Sequence, residues 1–197
     1  LLIEGARRIG KSYIAERFAK HEYESYILID FSKAPPRVRE WFDEYLEDVD
    51  TLLQNIQLHY KTRLTPRKSI IIFDEVQKCP RAREAIKALV EDHRFDYIET
   101  GSLISIKKNV ADIVIPSEED GIDMYPMDFE EFMWAMGDEM MMDYIKRQFE
   151  QRRPMGDFHR EAMRYFRQYK IVGGVPPAKG ELVQPYGNDK VEAVGRA

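Results

Sequence analysis

Gly5-Ala6-Arg7-Arg8-Ile9-Gly10-Lys11-Ser12 fits the pattern G-x-x-x-x-G-K-[ST] at every fixed position. Such spacing lets the backbone turn tightly enough for consecutive N–H groups to point inward and cradle phosphate oxygens. In that loop Lys11 reaches the terminal phosphates, and the Ser12 hydroxyl ligates Mg²⁺. The candidate phosphate-binding set is therefore Gly5, Ala6, Arg7, Arg8, Ile9, Gly10, Lys11 and Ser12, with Tyr13 beside them. A glycine turn capped by Ser12, with a solvated lysine, is the plainer alternative.

A second constellation follows the apolar run Ile70-Ile71-Ile72-Phe73. Asp74 and Glu75 come directly after it, which places two carboxylates at the carboxyl edge of a sheet, where open α/β sheets bind ligands. Asp74 is the candidate metal residue together with Ser12, and Glu75 is the candidate base that orients and deprotonates a water. The third is Glu99-Thr100-Gly101-Ser102, where a small hydroxyl at a strand end can bond the attacking water or a phosphate. Thr100 is assigned that role, with Ser102 beside it, although Ser102 equally suits a helix N-cap. The catalytic candidates are thus Glu75, Lys11 and Thr100.

These groups need a scaffold, and the hydrophobic pattern supplies one. Leu1-Leu2-Ile3 reads as a strand meeting the loop, and Ile14, Ala15, Phe18 and Ala19 recur at helical spacing after it. Tyr26–Asp30 reads as a strand, and Pro35-Pro36 as a break. The stretch from Trp41 to Tyr60 reads as two helices or one bent one. Ser69–Phe73 lacks polar alternation, as expected of a central parallel strand covered on both faces. Pro80 to about His93 is predicted helical, Phe95–Glu99 a strand, and everything from Asp128 to Ile171 helical. Strands alternating with helices call for a parallel sheet built from right-handed crossovers, so the fold class is α/β. The division predicted is a phosphate-binding core over 1–125, a small helical lid over 126–178 and a polar tail over 179–197.

Composition narrows the class. Hydrophobic residues make up 44% and charged residues 33% of the 197, close to soluble averages, so disorder is not favoured. The net charge of −5 argues against a surface wholly devoted to nucleic acid. No apolar run approaches the roughly 20 residues of a membrane span. One cysteine cannot form an internal disulfide, and the spacing of the four histidines suggests no metal cluster, so a reducing cytoplasm is expected. The chain opens inside a strand and without Met, and is expected to be a fragment.

The segments GARRIGKS, IIIFDEVQKCP, ETGS, MYPMDFEEFMWAMG and IVGGVPPA together resemble the prokaryotic AAA+ P-loop ATPases in which an AAA core precedes a C-terminal domain of unknown function. The resemblance runs from residue 1 to about Ala178. It implies a P-loop NTPase fold with strand order 5-1-4-3-2, a helical lid, and ATP with Mg²⁺ as the ligands. Gly10, Lys11 and Ser12 would hold phosphate and metal, Asp74 and Glu75 would form the Walker B site, and Thr100–Ser102 the sensor. Arg81, Arg83, Arg152 and Arg153 are available as an arginine finger or lid arginine, and no motif singles one out.

The function expected is hydrolysis of Mg-ATP to drive a conformational switch. The alternative is a nucleotide-gated module that recruits a protein or DNA partner with negligible turnover. Glu75 tilts the choice towards hydrolysis. A nucleotide kinase ranks third, since there is no arginine-rich lid for a second phosphate substrate. A homo-oligomer is a possibility by resemblance, and no membrane association is expected.

Overall fold

The computed structural model describes residues 1–102 and 120–174. The chain divides into two compact units on either side of the Tyr125–Pro126 bond. The expected tail over 179–197, and the 175–178 end of the expected lid, lie outside the described residues, as does any helix capped by Ser102.

The first unit holds strands β1 (Leu2–Gly5), β2 (Ser25–Asp30), β3 (Ser69–Asp74), β4 (Asp96–Ser102) and β5 (Gly121–Met124). Its helices are α1 (Lys11–Glu22), α2 (Pro36–Glu44), α3 (Val49–Tyr60) and α4 (Pro80–Glu91). All strand pairs are parallel, and the sheet order is β2-β3-β4-β1-β5, which read from the opposite edge is 5-1-4-3-2. The P-loop α/β fold class expected from the sequence is therefore the one observed.

Local chemistry explains the element ends. Pro36 and Pro80 stand at the starts of α2 and α4, where a missing N–H costs nothing. The stretch from Trp41 to Tyr60 resolves into two helices because Asp48 caps α3 by accepting from Thr51 N. β3 is buried along its whole length, and it carries both hydrophobic layers. One layer joins Ile71 and Phe73 to Phe31, Phe42, Leu53 and Leu89, with the rings of Phe31, Phe42 and Phe73 5.6 Å apart. The other joins Ile70 and Ile72 to Ala15 and Ala19 of α1. Each buried Ile or Phe contributes about 1.5–3 kcal/mol. Of the apolar positions read along α1, only the two alanines are buried. Ile14 and Phe18 are about half exposed (48% and 47%), because the small residues bring the helix close to the sheet on one narrow face.

Two elements escaped the pattern. β4 runs on to Ser102, past the predicted end at Glu99. β5 is a short edge strand with Ile122 exposed, and its mixed residues carry no strand signal.

The second unit, as described, is helical: α5 (Phe129–Ala135), α6 (Glu139–Glu150) and α7 (His159–Val172). They enclose their own cluster of Phe132, Met133, Met141 and Ala162. Asp128 and Glu131 form a reciprocal capping box on α5. Gly173 ends α7 at φ 68, its N–H donating to Tyr169 O at 2.8 Å. Among the described residues, no helix is long and apolar enough to cross a membrane.

Candidate active site

The loop between β1 and α1 is held by two glycines and one buried anchor. A Cβ on Gly5 would lie 2.2 Å from Met124 O, on the neighbouring strand, and 2.7 Å from Ile9 Cδ1, so only glycine fits. Gly10 precedes α1 at φ 100, a left-handed conformation natural to glycine. Ile9, 2% exposed, pins the loop between them. The first turn of α1 has no side-chain cap and no acidic residue. Its leading N–H groups and the positive end of the helix dipole are therefore not offset by a side chain. Ala6, Arg7, Arg8 and Tyr13 stand exposed around this turn, with Arg8 at φ 67.

Lys11 is buried, and its Nζ donates to the loop's own carbonyls, Ala6 O at 2.7 Å and Gly5 O at 3.2 Å. Burial lowers the Lys11 pKa from the ordinary lysine value, Arg7 adds to the lowering, and the Glu75 and Asp74 carboxylates oppose it. The cation is thus held within electrostatic reach of both acids.

Asp74 ends β3 and is 7% exposed. Its Oδ1 accepts from Ser12 Oγ at 2.6 Å and also from Thr100 Oγ1. The sheet order accounts for this meeting. β4 lies between β1 and β3, with Phe73 level with Glu99 on one side and Ile3 level with Thr100 on the other. The next residue of each strand reaches the same edge. Thr100 Oγ1 also accepts from Glu75 N, at 3.4 Å, so one hydroxyl ties β4 to both acids.

The structure brings together Lys11, Ser12, Asp74, Glu75 and Thr100. Ser102 lies level with Gly5 at the ends of β4 and β1. Of the four arginines, Arg81 pairs with Asp43 and Glu84 at the surface, Arg83 is buried 3.8 Å from Glu99, and Arg152 and Arg153 are exposed in the second unit. Sequence reasoning missed Gln77, whose Nε2 donates to Glu75 Oε2 at 2.6 Å. It also missed Asp30, level with Asp74 at the end of β2. The position of Asp30 at the end of a strand was a usable signal, whereas Gln77 offered none. Among the described residues, no cluster of three or more His, Cys, Asp or Glu is placed to hold a metal ion.

The sequence profile of the AAA domain matches residues 1–133, about two thirds of the chain. This chain belongs to the AAA domain family. At a coarse level, membership makes it a nucleotide-binding, ATPase-type module of P-loop fold. Among solved structures, this AAA domain is similar to that titled "Structure of C. elegans PCH-2", at 17% identity and a TM-score of 0.34. The match covers 76% of this chain and 39% of the other, so the AAA domain chain spans well under half the length of that relative. No curated protein matches it.

Proposed function

We propose that this AAA domain binds ATP with Mg²⁺ at the β1–α1 loop and hydrolyses it, using the cycle as a conformational switch. The observation that carries the reading is the convergence of Lys11, Ser12, Asp74, Glu75 and Thr100, from three separate segments, at one edge of the sheet. The loop N–H groups and Lys11 would bind the β and γ phosphates, the lysine exchanging its loop carbonyls for phosphate oxygens. The donor chemistry suits Mg²⁺: a hydroxyl and a carboxylate oxygen 2.6 Å apart are hard oxygen ligands. When bound, the ion would supply charge neutralisation across the β and γ phosphates. Glu75 would take a proton from water as the water oxygen bonds the γ phosphorus. The bond from that phosphorus to the β–γ bridging oxygen breaks, and its electron pair leaves with ADP. Thr100 would orient Asp74 and Glu75.

Under the same reading, residues 126–178 act as the helical lid and 179–197 as a tail, in a cytoplasmic protein able to self-associate. The test is calorimetric Mg-ATP binding with phosphate release followed on the same samples, for the parent, Lys11→Ala and Glu75→Gln. Binding lost in Lys11→Ala and release abolished in Glu75→Gln are expected. Binding without release in the parent would replace the hydrolase with a nucleotide-gated protein- or DNA-binding module. No binding at millimolar nucleotide would refute the assignment.

A further inference from the structure

Glu75 leaves β3 in a left-handed conformation, φ 55 and ψ 44, which reverses the chain into a 3-10 turn at Val76–Lys78. That turn is rigidly seated. Val76 is fully buried, Lys78 N donates to Glu75 O, and Cys79 N donates to Val76 O, both at 2.9 Å. The reversal folds Gln77 back beside Glu75, with Nε2 donating to Oε2 at 2.6 Å. Gln77 is 5% exposed, so the amide is held by packing and has few other rotamers to adopt.

We infer that Gln77 is a positioning residue for Glu75: its buried amide holds Oε2 and so presents Oε1 to the water. This rests on Glu75 being the base of the proposed hydrolysis. An amide N–H₂ can only donate, so Gln77 binds the carboxylate without competing for the proton that Oε1 takes. The left-handed backbone at Glu75 serves the same end, since an extended residue there would carry Gln77 away from it.

The test uses the full chain with Gln77→Met, which keeps the length and apolar volume but removes the amide, and Gln77→Glu, which replaces the donor with a second carboxylate. Phosphate release is measured with nucleotide affinity by calorimetry and folding by thermal melt. For Gln77→Met, kcat is expected to fall about 10- to 100-fold, with affinity within about twofold of the parent. For Gln77→Glu, which offers Glu75 no N–H donor, kcat is expected to fall at least as far, again with affinity near that of the parent. A purely structural role would lower the melting temperature and leave the kcat of the folded enzyme in place. Should Gln77→Met fail to fold, the kcat of Gln77→Glu decides. Gln77→Met or Gln77→Glu at parental kcat overturns the clamp while an inactive Glu75→Gln preserves the base. A parent without phosphate release, or unaffected by Glu75→Gln, removes both.

Discussion

Ser12 donates its hydroxyl to Asp74 Oδ1 at 2.6 Å across 62 positions of chain. The phosphate loop and the acidic strand are therefore joined directly, and under the proposed function the same two oxygens would take the divalent cation. Ser12→Ala is expected to remove the Mg²⁺ dependence of nucleotide affinity, a loss of about tenfold or more, while metal-free binding in EDTA stays near the parental value. Calorimetry with and without Mg²⁺ checks this. An equal loss in both conditions would make Ser12 a structural residue only.

Thr100 joins Asp74 and Glu75 through one buried hydroxyl. Thr100→Val preserves the β-branched shape and removes that hydroxyl. Urea unfolding is expected to show a loss of about 1–3 kcal/mol, and phosphate release should fall more than nucleotide affinity does. Unchanged stability and turnover would show that the hydroxyl is dispensable.

Gly5 faces Met124 O across the β1–β5 pair with no room for a side chain. The obstruction is backbone, which cannot swing aside as a side chain can. Gly5→Ala should cost at least about 2 kcal/mol and displace β5, read as lost amide protection at Gly121–Met124 in hydrogen exchange. A variant as stable as the parent, with β5 still protected, would contradict this packing.

Arg83 and Glu99 are both almost fully buried, 3.8 Å apart, on α4 and β4. Removing one charge takes an ion-pair partner from the other in a low-dielectric interior. Arg83→Met alone is expected to destabilise by about 3–5 kcal/mol, and Arg83→Met with Glu99→Leu to cost less than the two single losses added together. Additive losses in the double-mutant cycle would mean that the two side chains are not coupled.

Asp30 bears on the acid stability of the core. Burial pushes its carboxyl pKa up, but hydrogen bonds from Lys33 and from the Ser32 side chain and backbone outweigh this and lower it from the usual aspartate value. A depressed folded-state value means stabilisation that is complete above the unfolded pKa of about 3.9 and lost as pH falls through the folded value. Lys33 is largely exposed, so the contribution is about 1 kcal/mol or less. Asp30→Asn should therefore be less stable than the parent near neutrality, with the gap closing in acid. A gap independent of pH would assign the effect to packing.

How far the sequence carried this reading depended on range. The phosphate loop was legible because its chemistry is local: two glycines, a lysine and a serine at set intervals dictate the turn and the donors within eight residues. β3 was legible because an unbroken apolar run followed by two acids describes a strand covered on both faces and ending at a polar edge of the sheet. β5 was not, since an edge strand of four residues, paired through its backbone to β1, needs no particular side chains.

The sequence by itself determined which residues are of the types and spacing that phosphate binding, cation ligation and water activation require. The family resemblance already implied a strand order with β4 between β1 and β3; only the tertiary structure decided the register by which Thr100 meets Asp74, and that the turn after Glu75 would fold Gln77 against it. Strand order and register are chosen by the burial of both sheet faces at once. The contacts they create join residues distant in sequence, whose meeting no local periodicity records.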